Sequence, residues 1–190
     1  VQTCALPIYE FSAGRQALVD TRPDVIINCA AHVGSVHYVS EKAASVFHDN
    51  VQMGLNLYRA VLEVCPQARL VNPLSNCSYP GAADVHHEPH WWDGPVHASV
   101  ASYGNSRRFL FVLSECYARE HNIRTVNLLV PNSFGPGDYT DPNRTHALNG
   151  MIIRMIHAHR RGDASFEIWG TGKPDRKSTR LNSSHSSVSR

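Results

Sequence analysis

The chain has 190 residues, 42% hydrophobic and 18% charged, with a formal net charge of +2. That is the composition of a globular domain or a piece of one, and it excludes fibrous and wholly disordered classes. Its longest apolar runs, such as Val25-Ile26-Ile27, are far too short to cross a bilayer, so a cytoplasmic protein with no membrane partner is expected.

In chain order, residues 1–8 back-translate without a mismatch into what resembles a sequencing-library adaptor, and are expected to be non-native. Residues 24–31 form a β-branched run closed by small residues, the pattern of a parallel strand buried on both faces. Between 42 and 65, Ala44, Phe47, Val51, Leu55, Tyr58 and Leu62 recur at helical spacing, predicting a helix that lays one stripe on a sheet. Residues 69–74 read as a second strand, with Pro73 near its end, where a missing N–H costs least.

Residues 75–102, rich in Pro, Gly, His and Trp, predict a long functional loop. A helix is predicted over 103–120 with Tyr103, Phe109, Val112, Leu113, Cys116 and Tyr117 inward, then a strand over 125–130 and a loop over 131–143. A helix over 147–161 and a short strand over 166–169 complete the series. Alternating strands and helices predict an α/β doubly wound, Rossmann-like parallel sheet. Residues 175–190 match the second adaptor, and removing their net three positive charges takes the formal charge from +2 to −1, so nucleic acid is not an expected partner.

Such a domain normally opens on a strand, a glycine-rich turn and a helix that holds a pyrophosphate. Gly170-Thr171-Gly172-Lys173 has neither that spacing nor a P-loop's, and reads as a turn. The expectation is therefore a partial sheet lacking its first strands and glycine-rich turn. Residues 9–131 would be a partial dinucleotide-binding domain and 132–174 the start of a small substrate-binding region. These 190 residues alone are expected to be inactive and marginally soluble.

Tyr103 and Arg107 lie one helical turn apart, where a cation lowers the pKa of a phenol normally near 10. Such a Tyr can handle the proton that accompanies hydride transfer at a carbonyl, and Ser75, at a strand end, can hydrogen-bond the same oxygen. His86-His87-Glu88-Pro89-His90 lacks ligand spacing, so no metal is expected. Trp91 and Trp92 read as packing or an oligomer contact. Cys29, Cys65 and Cys116 read as small core hydrophobes, with no CxxC pair.

Five motifs follow one another in an order that resembles the extended short-chain dehydrogenases/reductases: Ser75-Asn76-Cys77-Ser78-Tyr79-Pro80, Tyr103-Gly104-Asn105-Ser106-Arg107, Pro131-Asn132-Ser133-Phe134-Gly135-Pro136, Thr145-His146-Ala147-Leu148 and Ile168-Trp169-Gly170-Thr171-Gly172. Within that family the chain looks most like the GDP-L-fucose synthase branch.

The resemblance implies catalytic roles for Ser75, Tyr103 and position 107, with Cys77 and His146 as the epimerisation pair. It implies cofactor contacts from Ala30, Ala31, Asn50, Arg107, Pro131, Asn132, Ser133 and Phe134, and substrate contacts from Asn132, His146, Arg154 and Trp169. It further implies NADP (or NAD) as cofactor, a GDP-sugar as substrate and a homodimer when full length. Glu88 corresponds to the family's loop acid. Where the family has Lys, this chain has Arg107, which keeps its proton and presents a larger planar fork, so reduced reductase competence is expected. The alternatives are a nucleotide-sugar 4-epimerase or 4,6-dehydratase of the same superfamily, or a non-catalytic dinucleotide-binding protein.

Overall fold

The computed structural model describes residues 8–83, 85–133, 135, 137, 140, 145 and 147–166. The elements run α1 (Phe11–Thr21), β1 (Val25–Ile27), α2 (Val36–Glu41), α3 (Ala43–Val64), β2 (Arg69–Ser75), α4 (Ala101–His121), β3 (Arg124–Val130) and α5 (Ala147–Arg161). Short 3-10 turns at Asn76–Ser78, Glu88–His90 and Ala98–Val100 interrupt the long loop. The three strands form a parallel sheet in the order β1-β2-β3, so each neighbouring pair is joined by a helical crossover, as expected of an α/β unit. Helices α1 and α2 were not anticipated. A six-residue helix is too short to show a period, and Gly14 dilutes that of α1.

One face of the sheet and the helices share an apolar core in which Leu57, Tyr58 and Val61 of α3 meet Leu70 and Leu74 of β2, Leu110 of α4 and Ile123. Through that core runs a polar ladder. Asn28 Nδ2 donates to Asn72 Oδ1 at 3.2 Å, and Asn72 Nδ2 donates to Asn127 Oδ1 at 3.1 Å and to the Tyr58 hydroxyl at 2.9 Å. Asn127 Nδ2 continues to Ser114 Oγ at 2.9 Å, and the Tyr58 hydroxyl pairs with Thr125 Oγ1 at 3.1 Å. Asn72 faces Asn127 in register and is fully buried, so every member of this cross-strand set needs its partners.

Two expectations are corrected. The first strand is not buried on both faces: among the described residues β1 is an edge strand of three residues, with Val25 54% and Ile27 65% exposed. The apolar stripes of the helices are also offset. Helix α3 buries Val46, Asn50, Met53, Leu57, Val61 and Val64, while Phe47 and Leu55 face outward. Helix α4 buries Gly104, Arg107, Leu110 and Ser114, while Val112 and Cys116 are exposed. Each helix carries two apolar edges, and periodicity alone does not say which one meets the sheet. Cys29 is likewise exposed rather than core.

Replacing Asn72 by Val leaves Asn28, Tyr58 and Asn127 short of partners in a dry core. Urea denaturation is expected to show a loss of about 3 kcal/mol with an unchanged m-value.

Candidate functional site

Strand β2 ends at Ser75, whose hydroxyl accepts from the Cys77 amide at 3.2 Å and donates to Asn76 Oδ1 at 3.3 Å, turning the chain into the first 3-10 turn. Ser78, fully buried, donates to the Ser75 carbonyl at 2.5 Å and accepts from Trp91 Nε1 at 2.8 Å. This short polar chain fixes Ser75 and Cys77 at the carboxyl end of the sheet, where open α/β sheets bind ligands.

Helix α4 then comes against that turn. A Cβ at Gly104 would lie closer to the Cys77 carbonyl oxygen than atoms can approach, so only glycine admits the contact. The residue before it is Tyr103, which brings the phenol and the Cys77 segment to one locus. Arg108 closes the loop over the turn, donating to the carbonyls of Ser78 at 2.8 Å, Gly94 at 2.9 Å and Trp91 at 2.6 Å, with its guanidinium 5.2 Å from the Trp92 ring centroid. Trp91 is buried, and Trp92, half exposed, packs its ring on Trp91 and Phe111 with centroids 4.8 and 6.1 Å away.

The Arg107 guanidinium lies 5.1 Å from the centroid of the Tyr103 ring and is 3% exposed. Its Nη2 donates to Asn50 Oδ1, whereas its buried Nε has no hydrogen-bond partner among the described residues. Burial pushes the Tyr103 phenol above its ordinary value of 10.0, Arg107 pulls it down by less, and Cys77 adds to the rise. The expectation of a lowered phenol is thus reversed, because desolvation of the phenolate outweighs the neighbouring cation. Burial likewise lowers Arg107. The result is a phenol that stays protonated across the neutral range.

Asn50, expected at the cofactor, is committed within the protein. Its Oδ1 accepts from the His32 amide at 3.1 Å as well as from Arg107, and its Nδ2 donates to the carbonyls of His32 at 2.8 Å and Val46 at 2.7 Å. These four bonds use the whole capacity of the amide. Ala30 is half-buried and Ala31 exposed just beyond β1, and Pro131, Asn132 and Ser133 are exposed just beyond β3, all at the carboxyl edge that carries Ser75. Arg154 is half-buried on α5. Phe134, His146 and Trp169 lie outside the described residues.

Gly104, Arg108, Ser78 and His32 were missed in the sequence. The Gly directly after Tyr103 was the one readable signal, since a glycine inside a helix needs a packing reason. His86, from the His-rich stretch, stacks on Tyr79 with centroids 4.3 Å apart, and burial lowers its imidazole.

The NAD dependent epimerase/dehydratase family matches residues 2–178. Among curated relatives, GDP-L-fucose synthase of Azorhizobium caulinodans is 28% identical over 82% of this chain and 50% of its own length. GDP-L-colitose synthase of Yersinia pseudotuberculosis is also 28% identical, over 82% of this chain and 51% of its own. Among solved structures, a GDP-L-fucose synthetase from Naegleria fowleri bound to NADP superposes with a TM-score of 0.77 at 26% identity, covering 88% of this chain and 55% of that one. The chain spans about half the length of the relatives it matches.

The raised Tyr103 phenol has a pH consequence. The folded state keeps the proton and the unfolded state releases it near the ordinary value, so this contribution to stability is complete below about pH 10 and drains away above it. Tyr103→Phe cannot ionise, so denaturation curves taken across that range are expected to show a shallower alkaline loss than in the unsubstituted protein, with Tyr58, also raised by burial, supplying part of the remainder.

Proposed function

Because the chain belongs to the NAD dependent epimerase/dehydratase family, we propose that it is part of a nucleotide-sugar epimerase-reductase like the GDP-L-fucose synthases. The full-length protein would epimerise GDP-4-keto-6-deoxy-mannose at C3 and C5 and then reduce it at C4, with NADPH, or NADH, supplying the hydride. The observation that carries this reading is the seating of the Cys77 carbonyl on Gly104, which draws Ser75, Cys77 and Tyr103 together at the carboxyl end of the sheet.

In this scheme the Cys77 thiolate removes a proton from a carbon beside the ketone, which is acidic because the carbonyl delocalises the charge, and His146 returns a proton to the opposite face. Ser75 orients the ketone oxygen. Tyr103, held protonated by burial, gives its proton to that oxygen as the ketone is reduced. The residues fit a dinucleotide at one point, since the buried and unpaired Nε of Arg107 has room in its bonding for an acceptor such as a ribose hydroxyl. Asn50 serves by holding Arg107 rather than by reaching the cofactor itself.

Residues 9–131 then belong to the dinucleotide-binding domain and 132–174 begin the substrate-binding region. No helix among the described residues is long and apolar enough to cross a membrane, in keeping with the proposed cytoplasmic location. The full-length protein is read as a homodimer, with neither nucleic acid nor membrane as a partner; Phe47 and Leu55 of α3 and Val112 of α4 are exposed apolar side chains on its surface. The equal identity to a GDP-L-colitose synthase keeps a second GDP-keto-sugar as the alternative substrate.

In the full-length protein, Cys77→Ser is expected to cut epimerisation by about 10²-fold or more, while reduction of an already epimerised keto sugar continues. Full epimerisation by that variant would sink the proposal. Arg107→Lys separates it from the rival reading, a dinucleotide sensor without chemistry: a rise in C4 reduction of about tenfold is expected of an enzyme handicapped at that position. Absence of turnover in both forms would favour the sensor.

A further inference from the structure

Three side chains that the proposed chemistry leaves unused stand in one line beside the site. Asp49 Oδ2 lies 2.6 Å from His32 Nδ1, and His32 Nε2 lies 2.8 Å from the Tyr38 hydroxyl. With Asp49 ionised, the carboxylate accepts the Nδ1 proton, which leaves Nε2 free to accept from Tyr38; every partner is then satisfied by one neutral tautomer. His32 is fixed a second time through its backbone, whose N–H and C=O both bond to Asn50.

The line ends on α2, a helix of six residues, too short to persist on its own. Its start is capped by Ser35, whose hydroxyl accepts from the Tyr38 amide at 3.2 Å, and a Cβ on Gly34 would collide with the Tyr38 ring. Its far side is joined to α4: Ser102 Oγ donates to the Val39 carbonyl at 3.0 Å, one residue ahead of Tyr103. Asn50 Oδ1, which takes the His32 amide, also takes Arg107. His32 therefore reaches the Tyr103–Arg107 pair by two routes, through α2 and through Asn50.

We propose that His32 is a positioning residue, a clasp between Asp49 of α3 and Tyr38 of α2 that holds α2 against the start of α4 and so sets the placement of Tyr103. This rests on the reading that Tyr103 acts as proton donor to a bound ketone. His32 touches no reacting atom in this scheme, so its removal acts on the chemical step more than on dinucleotide affinity.

The test uses the full-length protein with His32→Leu, Tyr38→Phe and His32→Asn, the last keeping a donor for Asp49. His32→Leu and Tyr38→Phe are expected to lower kcat for keto-sugar reduction by about ten- to a hundredfold, with the NADPH Kd from nucleotide fluorescence changed less than about twofold, and His32→Asn is expected to recover part of the loss. Amide hydrogen exchange across Val36–Glu41 should quicken by about tenfold, as for loss of one hydrogen bond, with α3 unaffected. Unchanged exchange in α2 would overturn the clasp whatever the activity. Faster exchange with unaltered kcat would overturn its link to Tyr103. If the unsubstituted protein turns over no keto sugar, the enzymatic reading fails instead, and exchange alone decides the clasp.

Discussion

Three asparagine amides set the register of the sheet, and the rest of the structure is arranged from that register. Asn28 just after β1, Asn72 on β2 and Asn127 on β3 stand side by side, each bonded to the next. Apolar residues would tolerate a one-residue slip with some loss of packing. A slip here moves each amide to the opposite face and strands its partners, so a buried polar ladder admits one alignment. Tyr58 and Ser114 tie the same ladder to α3 and α4, which couples the helix positions to the strand register. The carboxyl ends of the three strands, and with them Ala30, Ser75 and Asn132, are then placed at fixed relative heights.

The site repeats this logic on a smaller scale. Apolar burial supplies the cohesion, but the distances between functional groups are set by a few polar side chains with several bonds each. Asn50 spends its whole amide on the His32 backbone, Val46 and Arg107. Arg108 spends its guanidinium on three loop carbonyls. Gly104 contributes by having no side chain, since any Cβ would lift the Cys77 turn from α4 and part the thiol from the phenol. Close approach has an electrostatic price: the phenol of Tyr103 is buried deeply enough that desolvation prevails over the adjacent guanidinium. A phenol in that state keeps its proton across the neutral range, the form from which the proposed donation starts.

Legibility followed the strength of the local signal. Helices α3, α4 and α5 and strands β2 and β3 all fell within a few residues of where periodicity and β-branched runs placed them, because long elements average over many positions. The stripe of α3 did not. Phe47 and Leu55 recur at the same period as Val46, Leu57 and Val61, and a second apolar edge leaves a helix with two equivalent ways to face a sheet. Strand β1 carries the pattern of a doubly covered strand but lies at the edge of the sheet with Val25 and Ile27 exposed, since burial depends on neighbours that a strand's own residues do not specify.

The sequence by itself determined the class of fold, through alternating periods of two and 3.6, and supplied the proposed site, through the ordered motifs around Ser75, Tyr103 and Pro131. Residue types and local spacing carry that information because they act within one element. Tertiary structure alone decided which apolar edge is core, that Asn50 serves Arg107 and His32, that Arg108 and Gly104 seat the Cys77 turn, and that the Tyr103 phenol is raised rather than lowered. Each of those depends on groups brought together from distant parts of the chain, and on the solvent they exclude, which no local pattern records.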